Sequence, residues 1–173
     1  EGILNVIVGD VSGHGIAAGL LMTTARALIR SRSAQPGTLS EIVTDVNRDL
    51  TLDIYDTGRF TTLLYLTVDT QNHLVKWVRA GHDAPLLYDP VSDRFEELYG
   101  SGLALGWDEN YPYEENQRTG LIKGQIIFMG TDGIWETFDL NHKPFGKKPL
   151  KENICGNGAG RAENIGNKIR DVL

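Results

Sequence analysis

Two aspartates stand in matched sequence settings that suit metal binding. Asp10 follows an apolar run and Gly9, and Asp132 follows a second apolar run, Gly130 and Thr131. We expect each carboxylate at the end of a buried strand and before a helix. Carboxylates there, with glycine letting other groups approach the backbone, are what Mg²⁺ and Mn²⁺ use. The alternative is that each aspartate only caps a helix. Two acids at two strand ends could also converge on one site.

Two histidines are further candidates. His14 lies in the glycine-rich phrase that contains Asp10, and it could donate a proton to a leaving oxygen, contact a phosphate, or only fix the turn. For His82, which ends a predicted strand, we favour a hydrogen bond that holds a loop. Three acids near turns could hydrogen-bond to the metal ligands without binding the metal, or they could simply cap turns. They are Asp83, Asp108 and Asp139.

Composition excludes several classes of function. The chain has 173 residues and a net charge of -6, which argues against a nucleic-acid partner because phosphate binding needs a basic face. One cysteine, Cys155, excludes an internal disulfide and any multi-thiolate metal site. No apolar run approaches the roughly 20 residues of a membrane helix. These features predict a protein of the reducing cytoplasm.

The N-terminal half is predicted to contain one strand, two helices and a hairpin. Residues 1–8 form an apolar run typical of a buried strand, and Ile16, Leu20 and Leu28 predict the apolar face of the first helix. Thr38 and Glu41 have the spacing of a capping box at the start of the second helix.

The rest of the chain continues with strands and ends in helices. Strands are predicted at 60–69, 73–80, 85–88, 94–98 and 125–130, followed by a helical turn at 134–138 and helices at 146–154 and from 162 onward. Strands and helices that are segregated along the chain favour an α+β fold with an antiparallel sheet.

Four phrases carry a family resemblance. They are GDVSGHGIAAGLLM (9–22), AGHDAPLLY (80–88), LGW (105–107) and FMGTDGIWE (128–136). Together they resemble the SpoIIE-like (RsbU-type) branch of the metal-dependent PPM, or type 2C, serine/threonine phosphatases. The resemblance implies an αββα four-layer sandwich, in which two packed antiparallel sheets are flanked by helices. It also implies one PPM-type domain over residues 1–173, and we expect that domain to lack its first and last strands.

The resemblance also implies a site. Two Mn²⁺ or Mg²⁺ ions would be held by the Asp10 carboxylate, the Val11 carbonyl and the Asp132 carboxylate, and a water activated by the metals would be the nucleophile. The implied catalytic residues are Asp10, Asp132 and His14. The family has two further metal-binding aspartates, in strands before residue 1 and after the last helix, and Asp171 does not match either.

The implied substrate is a phosphoserine or phosphothreonine on an anti-sigma factor antagonist of the STAS type. The resemblance further implies an upstream sensor or receiver domain in the same chain, and it allows a homodimer. Two alternatives stay open. One is a catalytically impaired pseudophosphatase that binds a partner, and the other is a metal-dependent phosphohydrolase that acts on small molecules.

Overall fold

A computed structural model describes residues 2–138, 142, 144–157 and 162–172. The elements along the chain are β1 (Ile3–Val11), α1 (Gly15–Ser33), α2 (Leu39–Ile54), β2 (Thr61–Asp69), β3 (Leu74–Ala80), β4 (Leu86–Asp89), β5 (Arg94–Glu97), β6 (Asn116–Thr119), β7 (Ile126–Phe128), α3 (Asp132–Trp135), α4 (Lys147–Asn157) and α5 (Ala162–Val172). They fall into two compact units. The first unit runs up to His82 and includes Gly100–Leu121, and the second contains Asp83–Tyr99 and the chain from Ile122 onward.

The first unit is built on a four-stranded antiparallel sheet in the order β1-β2-β3-β6. The predicted hairpin of β2 and β3 is confirmed, with Leu66 paired to Trp77. The prediction of a buried first strand is wrong, because most of β1 is exposed. The physical reason is its place at the edge of the described sheet, which leaves Ile3 and Leu4 in solvent.

Helix α1 buries a different face from the one predicted. Its buried residues are Ala18, Leu21, Ala25 and Ile29. Leu20 is 64% exposed, whereas its neighbour Leu21 is 5% exposed. Both faces of this helix carry apolar residues, so periodicity alone does not decide which one packs against the protein.

Helix α2 begins as the sequence predicts. The Glu41 amide donates to the Thr38 hydroxyl, and the Thr38 amide donates to the Glu41 carboxylate, which completes the capping box. Its apolar stripe joins α1 and β2 in the core of the first unit. That core includes Leu21, Ile29, Ile42, Val46, Leu50, Leu63, Tyr65 and Leu105.

The second unit has a three-stranded sheet in the order β5-β4-β7 and the three remaining helices. Its core contains Tyr88, Leu150, Ile154, Ile165 and Ile169. The helix predicted from residue 162 onward is confirmed as α5, which buries Ile165 and Ile169. Strand β7 is shorter than predicted and only half-buried. The helical turn predicted at 134–138 begins two residues earlier, at Asp132.

Both sheets are antiparallel and the helices are segregated from the strands, as an α+β fold requires. Among the described residues, the structure contains no helix with both the length and the apolar character needed to cross a bilayer.

Candidate active site

Asp10 lies at the end of β1, directly opposite Thr62 of β2. Its side chain is exposed, so the carboxylate is open to a ligand. Gly9 is required for the close pairing of the two strands, since a Cβ atom there would lie 3.0 Å from the carbonyl oxygen of Thr62. The N-cap of the helix that follows is His14, so the alternative interpretation of Asp10 as a helix cap is wrong.

Val11 adds a backbone oxygen next to this carboxylate. Thr61, opposite Val11, exchanges both of its backbone hydrogen bonds with Leu105, at 2.8 and 3.0 Å. Thr61 therefore has no amide left for the Val11 carbonyl. Val11 and Thr61 are therefore a non-hydrogen-bonded pair, in which the backbone N–H and C=O groups of both residues point away from the partner strand. The Val11 carbonyl thus faces the open side of β1, while its side chain packs against the core.

The loop after Val11 is pinned to the start of β2. The Ser12 amide donates to the Phe60 carbonyl and the Phe60 amide donates to the Ser12 hydroxyl, both at 2.9 Å. Gly13 has a φ of +84°, a backbone conformation that favours glycine. These contacts hold Asp10 and Val11 on a defined segment of backbone.

His14 ends this loop as the N-cap residue of α1. Its backbone is extended, its side chain makes no capping hydrogen bond, and the first turn of α1 has no acidic residue. The imidazole is exposed. The structure therefore brings Asp10, Val11 and His14 together on one short, solvent-facing segment, at the positive end of a helix dipole.

His82 and Thr62 lie behind Asp10. His82 is buried, and its Nδ1 is 2.8 Å from the Thr62 hydroxyl. That hydroxyl is 3.4 Å from the Asp10 carbonyl oxygen, to which it donates. When the Thr62 hydrogen is used there, the hydroxyl must accept from His82, which places a proton on Nδ1. The prediction of a hydrogen-bonding role for His82 is confirmed, although its partner is on a strand.

Asp132 is the first residue of α3, in the second unit, and its side chain is exposed. Thr131 occupies the N-cap position, so a capping role does not explain this aspartate either. The backbone carbonyl of Asp132 accepts from the Glu136 amide at 2.8 Å. A Cβ atom at Gly130 would lie 2.9 Å from Cδ1 of Ile134, so glycine lets the chain approach this turn.

The donor chemistry of these residues fits a hard divalent cation, since carboxylate and carbonyl oxygens are its preferred ligands. Within the described ranges, no group of three or more His, Cys, Asp or Glu side chains is arranged to hold a metal ion. Of the other predicted acids, Asp83 pairs with Lys147 at 3.0 Å and Asp108 accepts from the Asn110 amide at 3.0 Å. Asp139 lies outside the described residues.

Sequence reasoning missed Arg59 and Thr62. Arg59 Nη1 donates to the Ser12 carbonyl at 3.3 Å. Both residues lie about 50 positions along the chain from Asp10. The predicted hairpin alone could not identify these residues. The pairing of β1 with β2 decides which residues lie opposite Asp10, and the sequence does not predict that pairing.

Comparison with known proteins identifies a family and two solved structures with the same fold. The sequence matches the family described as "Stage II sporulation protein E (SpoIIE)" over residues 1–173. It is 27% identical over 165 residues to the phosphoserine phosphatase RsbU of Bacillus subtilis, in an alignment that covers 94% of this chain and 49% of RsbU. The chain therefore spans about half the length of that relative.

Two solved structures share its fold. One contains the PP2C phosphatase domain and a fragment of the regulatory domain of SpoIIE from Bacillus subtilis. It superposes with a TM-score of 0.77 and 18% identity, covering 99% of this chain and 50% of the other. The other is RsbX in complex with magnesium, with a TM-score of 0.71 and 17% identity over 98% of this chain and 74% of RsbX. These similarities confirm the predicted fold class, with two antiparallel sheets flanked by helices.

Proposed function

Because the chain belongs to the SpoIIE family, whose PPM-type fold it shares, we propose that it is a metal-dependent protein serine/threonine phosphatase. The similarity to the phosphoserine phosphatase RsbU supports this reaction. The observation that carries the proposal is the pairing of an exposed Asp10 carboxylate with a Val11 carbonyl that Thr61 does not bond. Neither aspartate of the predicted pair is occupied as a helix cap.

Asp10, Val11 and Asp132 would hold two Mn²⁺ or Mg²⁺ ions. Magnesium in the related RsbX structure supports this class of cofactor. When bound, the cations would activate a water molecule and offset negative charge on the phosphoryl oxygens. In the reaction, a bond forms between the water oxygen and phosphorus, and the bond from phosphorus to the serine oxygen breaks.

His14 would donate a proton to the departing serine oxygen. A serine alkoxide is a poor leaving group, so a positioned acid lowers the barrier to its departure. His14 is free for this role because its side chain does not cap α1. The hydrogen bonds between Ser12 and Phe60 hold the start of the loop that leads from Val11 to His14.

The substrate we propose is a phosphorylated anti-sigma factor antagonist of the STAS type. In the cytoplasm, dephosphorylation would free the antagonist to sequester its anti-sigma kinase. A sensor or receiver domain in the same chain would control the activity, and homodimerisation is part of this proposal. The similarity to the phosphoserine phosphatase RsbU supports a phosphoserine as the group that is hydrolysed.

The test is Mn²⁺-dependent phosphate release from a phosphorylated antagonist by the full-length protein. We expect Asp10→Asn and Asp132→Asn each to abolish release. Asp49→Asn, which changes an exposed acid on α2, should leave release unchanged. Full activity in both site variants would exclude this mechanism.

A catalytically impaired, partner-binding module is the second candidate. It is favoured by the absence of a group of three metal-ligating side chains among the described residues. This candidate predicts that the wild-type protein binds the phosphorylated antagonist without releasing phosphate at any Mn²⁺ concentration. Measuring binding and release on the same sample separates the two functions.

A further inference from the structure

We propose that Arg59 binds the phosphoryl group of the substrate and that the cleft beside it binds the residues next to the phosphoserine. This inference rests on the proposed phosphatase function and names how that site recognises its substrate. It concerns the first unit alone.

Arg59 is held against the loop that directly follows the candidate metal ligands Asp10 and Val11. Its Nη1 donates to the carbonyl oxygen of Ser12, which follows Val11 directly. A Cβ atom at Gly13 would lie only 3.1 Å from Nη1. The glycine therefore leaves the room that the guanidinium occupies. Arg59 also precedes Phe60, whose backbone is tied to Ser12 on both sides.

Arg59 lines the same cleft as Asp56, Asp108 and Glu109 but is not paired with any of them. In the part of the chain that the structure describes, no carboxylate forms an ion pair with it, whereas Arg32 and Arg48 both pair with Asp45. The neutral Ser12 carbonyl uses one of the five donors of the guanidinium. The remaining donors form a planar fork that matches phosphoryl oxygens. The Arg59 guanidinium, with donors left over beside the loop that follows Val11, is therefore suited to bind a phosphate dianion.

Arg59 is among the residues that line a surface cleft of about 430 Å³. Two aromatic residues, Tyr55 and Trp107, line it, and Trp107 is 62% exposed although its ring lies 5.6 Å from that of Phe60. Exposed aromatic rings of this kind are common at binding surfaces. The cleft is also lined by three acids, Asp56, Asp108 and Glu109. The charge pattern thus fits a segment that presents a phosphoserine to Arg59 and carries an apolar and a basic residue near the phosphoserine.

The first test separates phosphate binding from support of the loop. In the full-length protein, Arg59→Gln should raise KM for a phosphoserine peptide and weaken inhibition by inorganic phosphate, each on the order of 10-fold to 100-fold. Arg59→Lys should recover part of both effects, because it keeps the charge and loses the fork. Arg48→Gln is the matched control on α2 and should change neither. Mn²⁺ affinity, measured by calorimetry, should be the same in all four proteins.

Unchanged phosphate inhibition in Arg59→Gln would overturn the assignment. So would a loss of Mn²⁺ affinity in that variant, because it would show that Arg59 only holds the Ser12 loop. An inactive wild-type protein that still binds Mn²⁺ would instead contradict the proposed phosphatase function, so the two failures are distinguishable.

The second test concerns the cleft. Trp107→Ala should raise KM for the phosphorylated protein on the order of 10-fold and leave KM for p-nitrophenyl phosphate unchanged, because the small ester has no flanking residues. Tyr99→Ala, an exposed aromatic in the second unit, is the control and should affect neither substrate. Equal KM values for wild type and Trp107→Ala on the phosphorylated protein would overturn this part of the proposal.

Discussion

At the scale of single residues, His14 is exposed and makes no capping hydrogen bond. We predict that His14→Ala slows hydrolysis of a phosphoserine peptide by about 100-fold or more, because the serine oxygen then leaves without a proton. Hydrolysis of p-nitrophenyl phosphate, whose phenolate leaves readily, should change little. The measurement is kcat for both substrates at saturating Mn²⁺. An equal loss on both would exclude a proton donor and point to a role in phosphate binding.

A glycine in the turn before His82 leads to a second prediction at this scale. Gly81 has a φ of +69°, and a Cβ atom there would lie 2.9 Å from the backbone of Ala104. We expect Gly81→Ala to lower the free energy of unfolding by roughly 2 kcal/mol or more. Gly19 in α1 is the matched control, because its Cβ position is open. Gly19→Ala should stabilise the protein by about 0.5–1 kcal/mol, and urea unfolding measures both changes.

The candidate residues divide by whether their role depends on local or distant neighbours. The place of Asp10 near the end of β1 depended on adjacent residues, so it could be predicted from the sequence. Asp132 is not at a strand end, because β7 ends at Phe128 and Asp132 begins α3. Thr62 contacts Asp10, and Arg59 contacts Ser12, only because β1 pairs with β2. No turn between adjacent strands fixes that register, because α1 and α2 separate β1 from β2 along the chain.

At the scale of elements, the strongest local signals were the most reliable. The Thr38 capping box and the β2–β3 hairpin each combine a hydrophobic pattern with specific turn or cap chemistry. The burial of β1 and the buried face of α1 were mispredicted. In both cases the sequence is apolar where the folded chain is exposed, as at Leu4 and Leu20. Burial there depends on which surface packs against the rest of the protein, not on local periodicity.

The contact between α1 and α2 leads to a pH prediction. Arg32 Nε donates to Asp45 at 2.7 Å, and this hydrogen bond lowers the pKa of the Asp45 carboxyl below its usual value of 3.8. A lowered pKa in the folded state stabilises the fold above the unfolded pKa, and the gain is lost as the pH falls through the folded pKa. We expect Asp45→Asn to cost about 1 kcal/mol or less at pH 7.

The difference between wild type and Asp45→Asn should shrink as the pH falls below 3.8 and disappear once the folded-state carboxyl is protonated. Urea unfolding of both proteins between pH 2 and 7 measures it. A difference that is constant across this range would show that the side chain acts through packing and not through its charge.

At the scale of the whole molecule, oxygen ligands for a divalent cation predict a stability that depends on metal. Binding of Mn²⁺ to the folded protein should raise the free energy of unfolding by about 2.7 kcal/mol at a free concentration of 100 Kd. EDTA should reverse the gain, and Asp10→Asn should remove most of it. Thermal unfolding followed by circular dichroism tests this. An unfolding midpoint that does not respond to Mn²⁺ would contradict metal binding by the folded chain.

The overall class was accessible from the sequence, because segregated strands and helices indicate an α+β fold and the four phrases indicate its family. The partition of the chain into two units was not. Gly100–Leu121 returns to the first unit after an excursion through Asp83–Tyr99. The assignment of Gly100–Leu121 to the first unit depends on tertiary contacts. Neither the hydrophobic pattern nor the turn residues around Tyr99 predict it.

The short helix α3 determines how firmly Asp132 is held in place. It spans four residues, none of them fully buried, which is too few to be stable alone. Its order comes from Ile134 and Trp135 packing on the α4–α5 cluster, and from Lys147, which lies 4.6 Å from the Trp135 ring. Asp132 therefore depends on neighbours for its position. Loosening of α4 and α5 would therefore displace this carboxylate.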